Sequence, residues 1–346
     1  MQIIIVAGGG GTRLWPVSTK KAPKQFVPLL DNKTLLEHTV EMALEATSIE
    51  NIWISTNIVY RELILQTLPN FNPLHLILEP EKRDSFPAVA AAAAIVGQAT
   101  SPDEPLIFVP CDDWLNDKNS IETFALAQKQ IAHEIQTNKY QLMVAGVKPT
   151  FANTNYGYIQ IKTEDKYRVF EQSVPVVSFK EKPNLELAEQ FFESGDYLWN
   201  KFNFAFSYSS FCEILAPLDP DSVKVLAHIQ TEGLTRELFG QLPKISFDFH
   251  VLDRVKTGLG VMGMDIRWDD LGNWDTIEKY LPSIEKTAQS IQIDGLNNKA
   301  KLADPSKKIA FVGVSDILVV ETDDGLMICD VRNIQNIKSV AEHFDN

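Results

Sequence analysis

A run of four glycines, Gly8 to Gly11, directly follows the short apolar segment Ile3 to Ala7 near the start of the chain. Glycine allows the backbone to turn tightly and to bring its N–H groups against an anion. Arg13 and Lys24 add positive charge to the same stretch, and the first 30 residues contain no Asp or Glu. The whole chain, in contrast, has a net charge of −14. This segment therefore predicts a buried strand that ends in a phosphate-binding loop.

Two common glycine fingerprints do not fit this loop. A P-loop requires Gly-x-x-x-x-Gly-Lys-Ser/Thr, and the dinucleotide-binding turn requires Gly-x-Gly-x-x-Gly. Starting from Gly8 or Gly9, the last glycine position of the second pattern is occupied by Arg13 or Leu14. Both fingerprints are therefore excluded.

Strand-like and helix-like patterns alternate along the first part of the chain. Apolar runs predict strands at Ile3–Ala7, Ile52–Thr56, Leu74–Leu78, Leu106–Pro110 and Leu142–Val147. Between them, helices are predicted near Leu35–Ala46, Arg61–Leu68, Ala88–Gln98 and Ile121–Gln136. This alternation is typical of βαβ units, and it predicts an α/β fold with a mainly parallel, Rossmann-like sheet covered by helices. Ligands of such sheets bind at the carboxyl ends of the strands, where the glycine loop lies.

The pattern changes in the second half of the chain. β-prone runs are predicted at Tyr158–Ile161, Arg168–Phe170 and Val174–Phe179, with helices near Leu185–Glu193 and Ser222–Leu238. Beyond Leu281 the helical signal fades, and short β runs follow at Ile309–Val314, Leu318–Glu321 and Leu326–Asp330. We therefore predict a large domain over residues 1–280 and a small C-terminal β domain over residues 281–346.

The composition limits the partners and the compartment. No apolar run approaches the length of a membrane span, and no basic and apolar leader precedes the first predicted strand. Cys111, Cys212 and Cys329 are widely spaced, which indicates reduced thiols. We therefore expect a cytoplasmic protein. Because the net charge is −14, we expect neither nucleic acid nor an anionic membrane as partner.

The glycine loop reads Gly-Gly-x-Gly-Thr-Arg-Leu-Trp-Pro and is followed by Pro-Lys-Gln-Phe. This pattern resembles the signature of the sugar nucleotidyltransferases, in particular the short form of the mannose-1-phosphate guanylyltransferases (GDP-mannose pyrophosphorylases). The resemblance spans roughly residues 2 to 340. It implies GTP and mannose 1-phosphate as substrates, Mg²⁺ or Mn²⁺ as cofactor, and a C-terminal domain that resembles a short left-handed β-helix. A homodimer is compatible with the resemblance, and the sequence leaves the oligomeric state open.

The resemblance also implies the residues of a nucleotide site. They are Ala7, Gly8, Gly9, Gly11, Thr12, Arg13, Glu79, Pro80 and Asp84. Asp84 stands where the family commonly has Asn. Its carboxylate has two acceptor oxygens that suit the N1–H and 2-amino groups of guanine. The alternative is that Asp84 or Ser85 caps the alanine-rich helix that follows.

Two acidic turns are implied to hold the metal. Asp112 follows the strand Leu106–Pro110, and Asp270 lies in the segment Trp268-Asp269-Asp270-Leu271-Gly272. Mg²⁺ is usually bound by one or two carboxylates together with substrate phosphates, so that one Asp from each turn would suffice. The alternatives are a capping role for Asp112 and an Asx-turn for Asp270.

A third group of residues resembles the sugar-phosphate site of the family. Glu181 and Lys182 lie in Phe179-Lys180-Glu181-Lys182-Pro183, and Tyr156 and Gly157 lie in Asn155-Tyr156-Gly157-Tyr158-Ile159. Asn200 keeps the family's hydroxyl-binding residue, but Lys201 and Phe202 replace the small pair that usually follows it. By the resemblance Glu181 binds sugar hydroxyls and Lys182 the sugar phosphate. The sequence therefore constrains the identity of the sugar less than it constrains the type of reaction.

The expected mechanism uses positioning and charge rather than a general base. A sugar 1-phosphate has its second pKa near 6, so it is already an ionised nucleophile at neutral pH. Arg13, Lys24 and Lys182 are the predicted catalytic residues: Lys182 orients the nucleophile, and Arg13 and Lys24 stabilise the departing pyrophosphate. The alternatives are the same chemistry with another sugar or nucleotide, a non-catalytic regulatory relative, and a metal-dependent glycosyltransferase.

Overall fold

The computed structural model describes residues 1–9, 11–281 and 289–344. The strands are β1 (Gln2–Val6), β2 (Ile52–Asn57), β3 (Leu76–Glu79), β4 (Leu106–Pro110), β5 (Asp113–Trp114), β6 (Leu142–Val147), β7 (Gly157–Gln160), β8 (Val174–Pro175), β9 (Ser178–Lys180), β10 (Tyr197–Phe206), β11 (Leu259–Met264), β12 (Asp269–Asp270), β13 (Ser290–Ile293), β14 (Lys299–Lys301), β15 (Ile309–Val312), β16 (Ile317–Glu321) and β17 (Leu326–Asp330).

The helices follow the same order. They are α1 (Leu35–Leu44), α2 (Arg61–Thr67), α3 (Ser85–Ala99), α4 (Lys118–Gln136), α5 (Leu185–Ser194), α6 (Tyr208–Leu218), α7 (Pro220–Glu232), α8 (Arg236–Gln241), α9 (Trp274–Ile277) and α10 (Ile337–Phe344). A π-helical turn covers Asp248–Leu252. Within the described parts of the chain, no helix combines the length and the apolar character that crossing a membrane requires.

Tertiary contacts divide the chain into two compact units. The first comprises Met1–Gly8, Val40–Cys111 and Leu115–Trp268, and the second comprises Gly9–Thr39, Asp112–Trp114 and Asp269–Asn346. The second unit therefore contains the glycine loop after Gly8 as well as the C-terminal strands. The predicted boundary between residues 280 and 281 stays a prediction.

A single ten-stranded sheet forms the centre of the first unit. Its order is β3-β2-β1-β4-β10-β6-β11-β8, and β7 pairs with both β10 and β9. Strands β1 to β4 are parallel, as are β6 and β11, whereas β10 runs antiparallel between β4 and β6. The predicted α/β fold with a mainly parallel sheet is thus confirmed. Because β1 lies between β2 and β4, its carboxyl end is the switch point at which such sheets bind ligands.

Helix α3 packs closely on this sheet because its buried residues are mostly alanines. Ala90 to Ala94 are all buried and belong to the same core cluster as Ile4 of β1 and Phe108 of β4. Small side chains allow the helix to approach the strands, whose apolar side chains fill the space between them. The helix thereby fixes the residues that precede it, which include Asp84.

The second unit has its own core. Leu14, Trp114, Trp274 and Leu318 belong to one buried cluster that joins the glycine-loop segment to the C-terminal strands. Strands β13 and β15 pair in parallel, as do β14 and β16, and β17 closes the second of these sheets in antiparallel fashion. The predicted small C-terminal β region is confirmed, and helix α10 follows it, which the sequence patterns did not predict.

Two local predictions were wrong. Arg168–Phe170 forms a short 3₁₀ turn instead of a strand. The helix predicted over Ser222–Leu238 is two helices, α7 and α8, because Gly233 adopts a φ of 83° that ends the first one.

Candidate functional site

Two short acidic strands bring the predicted metal ligands together in the second unit. Asp113–Trp114 pairs antiparallel with Asp269–Asp270, and the backbone N–H of Leu271 donates to the carbonyl of Asp112 over 3.1 Å. Residues distant in sequence are thus held at one place by backbone hydrogen bonds. Asp112 and Asp270, predicted separately as ligands of one cation, are neighbours whose charges interact.

Lys24 belongs to the same group. Its Nζ lies 2.6 Å from Oδ2 of Asp112 and also donates to the carbonyl of Leu271 over 3.5 Å. The loop reaches this position because Gly11 has a φ of 58°, and a Cβ there would lie 3.0 Å from the Lys24 backbone nitrogen. Glycine is therefore required at Gly11 on two grounds, the left-handed backbone and the close approach.

Asp270 is the most perturbed member of this group. Burial, followed by the negative charge of Asp112, raises its pKa to about 7, although Lys24 and Arg13 act in the opposite direction. Its Oδ1 is buried without a hydrogen-bond partner among the described residues. A buried carboxylate oxygen in this state is costly unless a ligand supplies positive charge. Burial and repulsion from Asp112 thus make the pair suited to a cation.

Other residues of the glycine loop take different positions. Arg13 is exposed, and its charge acts on Asp270. The side chain of Thr12 and the whole of Gly10 lie outside the described residues. The carbonyl of Gly9 accepts a hydrogen bond from Gln25 Nε2 over 3.2 Å, which ties the loop to the predicted Pro-Lys-Gln-Phe segment.

The predicted nucleotide residues of the first unit lie at the ends of β1 and β3. The backbone N–H of Ala7 donates to the carbonyl of Ser55, and a Cβ at Gly8 would lie 3.9 Å from Glu79 Oε1. Glu79 is buried and accepts from the Ser55 hydroxyl over 3.3 Å. Burial raises its pKa to about 7. Pro80 directly follows Glu79 and begins the loop to α3.

Asp84 caps α3. It is exposed, and its Oδ1 accepts from the Ser85 backbone N–H over 2.8 Å. The loop around it is held from another side, because the Ser85 hydroxyl accepts from the Phe247 backbone N–H over 2.9 Å. Of the two roles considered for Asp84, the structure shows the capping contact, and reading of the base by Asp84 stays a prediction.

The predicted sugar residues converge in the first unit. A Cβ at Gly157 would lie 2.5 Å from Glu181 Oε2 and 3.2 Å from the Asn200 Cβ, so glycine leaves room there for both side chains. Glu181 Oε1 pairs with Lys182 Nζ over 3.0 Å. Lys182 has a φ of 43°, a conformation that non-glycine residues adopt rarely and that often marks functional positions.

Tyr156 lies in an aromatic group next to these residues. Its ring centroid is 5.2 Å from that of Trp199 and 5.1 Å from that of Trp268. Trp199 directly precedes Asn200 in β10, so the aromatic packing supports the strand that carries the amide. Tyr156 is thus placed beside the sugar residues, with ring packing as its described contact.

Sequence reasoning missed Asp248. Its Oδ1 accepts a hydrogen bond from Asn200 Nδ2 over 2.7 Å. Burial and the charge of Glu181 raise the pKa of Asp248 to about 7, whereas the Asn200 hydrogen bond and Lys182 lower it. The available signal was a single acid between two phenylalanines, Phe247 and Phe249. His250, two positions further, contacts Asp219 over 2.8 Å and packs on Phe86, which is a structural role.

Comparisons with known proteins identify the family of the chain. The Nucleotidyl transferase family model matches residues 2–287, and the MannoseP isomerase/GMP-like beta-helix domain model matches residues 289–344. A mannose-1-phosphate guanylyltransferase of Escherichia coli is 31% identical over 99% of this chain and 75% of its own length. The xanthan biosynthesis protein XanB of Xanthomonas campestris is 30% identical over 99% of this chain and 72% of its own.

A solved structure shares the fold over the whole chain. It is described as mannose-1-phosphate geranyltransferase from Thermus thermophilus, has a TM-score of 0.82 and 24% identity, and covers 100% of this chain and 99% of its own. The two family models cover both parts of the chain, and the curated relatives are 30% and 31% identical to it. The chain therefore belongs to the nucleotidyl transferase family, carries the beta-helix domain of the mannose-phosphate isomerase/GMP-like group at its C-terminal end, and is a sugar-phosphate nucleotidyltransferase.

Proposed function

We propose that the protein makes GDP-mannose and pyrophosphate from mannose 1-phosphate and GTP, with Mg²⁺ as cofactor. The observation that carries the proposal is the meeting of Asp112, Asp270 and Lys24 in one cluster, in which a buried carboxylate oxygen of Asp270 has no hydrogen-bond partner within the described part of the chain. A sugar-binding module without catalysis would have no need for this cluster. The choice of mannose and guanine rests on the names of the relatives.

The acidic pair fits the expected cation. Both donors are carboxylate oxygens, which Mg²⁺ prefers, and substrate phosphates complete its coordination in most such sites. When bound, Mg²⁺ would supply the charge that neutralises phosphate oxygens as they approach one another.

The residues of the chain supply the rest of the chemistry. Lys182 would hold the sugar phosphate and orient it for attack on the α-phosphate of the nucleotide. Lys24 and Arg13 would stabilise the negative charge that develops on the departing pyrophosphate. Attack needs no general base because the sugar phosphate is already ionised at neutral pH. Glu181 and Asn200 would bind sugar hydroxyls, since a carboxylate accepts two such hydrogen bonds.

The second candidate function is the same reaction with another sugar 1-phosphate or nucleotide. An irregularity in β10 favours keeping it. Phe202 has a φ of 58°, and the pairing of β10 with β6 shifts register between Asn200 and Phe204. Lys201, buried in this irregular stretch, lies 5.4 Å from the ring of Phe124. The strand thus departs from a regular ladder directly after the hydroxyl-binding residue.

Pyrophosphate release across a substrate panel tests the proposal. The purified protein is incubated with Mg²⁺, each of GTP, ATP, dTTP and UTP, and each of mannose, glucose and galactose 1-phosphate. We expect the highest kcat/KM for GTP with mannose 1-phosphate. A higher kcat/KM for another pair would assign that pair, and no release from any pair would favour the non-catalytic relative.

A further inference from the structure

Three buried polar side chains meet in the first unit, and one of them has no role in the function proposed above. Glu181, Asn200 and Asp248 are 9%, 7% and 7% exposed. They come from three separate places in the chain: the turn after β9, the strand β10, and the π-helical turn Asp248–Leu252. Turns of this kind occur frequently at functional sites.

Asp248 and the backbone of Phe202 together fix the amide of Asn200. Its Nδ2 donates to Asp248 Oδ1 over 2.7 Å, and its Oδ1 accepts from the Phe202 backbone N–H over 3.3 Å. An amide nitrogen has two hydrogens, so one donor remains after the bond to Asp248. These two bonds thus set which way the amide faces, and the bond to Asp248 sets where its second hydrogen points.

Glu181 shows that this cluster is built for a ligand. Its Oε2 is buried and has no hydrogen-bond partner among the described residues, whereas its Oε1 pairs with Lys182. The unpartnered oxygen lies against the bare Cα of Gly157, at the place that a Cβ would fill. A buried acceptor of this kind needs a donor that the protein does not supply, and the hydroxyl group of a sugar is such a donor.

A purely structural role would not favour an acid at Asp248. Placing a carboxyl beside the carboxyl of Glu181 in a buried position is unfavourable, and an apolar side chain could fill the same space at lower cost. The groups that face Asp248 are Glu181, Lys182 and Asn200. A hydrogen-bond acceptor at this position is therefore best explained by the orientation that it imposes on Asn200.

We propose that Asp248 is a positioning residue of the sugar subsite, which acts by holding the Asn200 amide so that its second N–H and the Glu181 carboxylate face the hydroxyl groups of a hexose 1-phosphate. The inference rests on the proposed function only in taking a sugar 1-phosphate as the ligand. It does not depend on the identity of the nucleotide.

The test compares Asp248→Ala, Asp248→Asn, Asn200→Ala and the double variant Asp248→Ala/Asn200→Ala with the wild-type protein. Asp253→Asn, which changes another carboxyl next to the same turn, is the matched control. KM for the sugar 1-phosphate and for the nucleotide is measured with the best substrate pair of the panel. Equilibrium binding of mannose 1-phosphate without nucleotide is measured in parallel by calorimetry.

We expect Asp248→Ala to raise the KM for the sugar 1-phosphate on the order of 10- to 100-fold, the range for a hydrogen bond to a charged group. The KM for the nucleotide should change less than about threefold, and Asp248→Asn should recover most of the loss, because its amide oxygen still accepts from Asn200. The double variant should be no worse than Asn200→Ala, since the effect passes through that residue.

Equal changes in both KM values, or additive losses in the double variant, would overturn the positioning role. So would an Asp248→Asn variant as impaired as Asp248→Ala. If the wild type binds mannose 1-phosphate but turns over no substrate pair, the proposed function fails while the binding comparison still decides the role of Asp248. If binding of mannose 1-phosphate is the same in wild type and Asp248→Ala, the inference fails even where turnover is normal.

Discussion

At the scale of single residues, opposite charges are concentrated around two half-buried aspartates, Asp112 and Asp270. Lys24 pairs with Asp112, and Asp270 retains a buried oxygen without a hydrogen-bond partner among the described residues. The arrangement is electrostatically unfavourable for Asp270, whose pKa is raised to about 7. The arrangement suits the proposed cation, whose positive charge would offset this cost.

The acidic pair should be indispensable for turnover. We expect Asp112→Ala and Asp270→Ala each to lower kcat by at least about a hundredfold, since each removes a ligand to the cation. Asp323→Ala, which changes an exposed acid of the same unit, should leave kcat unchanged. If either variant keeps a native circular dichroism spectrum and more than about a tenth of the wild-type rate, that residue is not a required ligand.

Two basic residues should affect different kinetic parameters. Lys182→Ala should mainly raise the KM for the sugar 1-phosphate, because Lys182 pairs with Glu181 among the sugar residues. Arg13→Ala should mainly lower kcat, because charge on the pyrophosphate grows as it leaves. Steady-state kinetics with each substrate varied in turn separates the two effects. Raised KM values for both substrates with unchanged kcat in both variants would contradict these roles.

Glu79 should make stability depend on pH. Its pKa is raised to about 7 in the folded protein, so it is protonated there while already ionised in the unfolded chain above its ordinary value of 4.5. The folded state then binds the extra proton, and stability from this group falls as pH rises from about 4.5 to about 7. Because Gln does not ionise, the Glu79→Gln variant should not lose this stability as the pH rises.

The measurement is urea unfolding of wild type and Glu79→Gln at pH 5 and pH 8. The free energy of unfolding of the variant minus that of the wild type should be about 1–3 kcal/mol larger at pH 8 than at pH 5. Gln66→Ala, an exposed change in α2 of the same unit, should show no such pH dependence. The same difference between variant and wild type at both pH values would show that Glu79 titrates normally.

Roles were predicted from sequence for residues that lie in a short motif, namely the glycine loop, Asp112 and the Glu181–Lys182 pair. The structure places these residues, and their roles stay predictions. Asp248 could not be predicted in this way, since its significance comes from Asn200, a residue far away in the chain. Long-range contacts of this kind leave no local pattern.

At the scale of elements, strands β1, β2, β4 and β6 were predicted because they are continuous apolar runs buried on both faces. Strand β10 is equally central, but it was missed as a strand. Asn200, Lys201 and Asn203 interrupt its apolar pattern, and each is buried through specific contacts such as the Asn203 bond to the Phe108 carbonyl. Tertiary contacts there outweigh local propensity.

Helix α10 supports the segment that follows the glycine loop. The ring of Phe344 stacks on Trp15 with centroids 5.3 Å apart, and the Trp274 indole donates to the Trp15 carbonyl over 3.0 Å. Trp15 lies two positions after Arg13. Within the second unit, the C-terminal helix and the segment that follows the glycine loop thus share one packed group.

Loss of the stacking between Phe344 and Trp15 should therefore lower kcat. We expect Phe344→Ala to lower kcat about threefold to tenfold with little change in KM, because a small displacement of the loop weakens transition-state contacts more than binding. Lys338→Ala, an exposed change on the same helix, should have no effect on kcat. Wild-type kcat in Phe344→Ala would mean that the helix does not support the loop.

At the scale of the whole molecule, the chain distributes its predicted chemistry between two compact units. Glu79, Glu181, Asn200 and Asp248 belong to the first unit, and the acidic pair with its lysine belongs to the second. A single boundary in the sequence cannot separate these two units, because the second unit is assembled from three separate stretches of chain. Hydrophobic patterns report local elements, whereas such an assembly depends on contacts between distant residues.

The path of the oxygen atoms in a single turnover tests most directly whether the sugar phosphate attacks the α-phosphate of GTP. Mannose 1-phosphate labelled with ¹⁸O at its three non-bridging phosphate oxygens is converted with unlabelled GTP, and the products are analysed by ³¹P NMR. Attack of the sugar phosphate on the α-phosphate of GTP keeps all three labelled oxygens on the mannose-bound phosphorus, one of them as the new bridge. We therefore expect labelled GDP-mannose and unlabelled pyrophosphate. Label in pyrophosphate, or release of orthophosphate in its place, would contradict it.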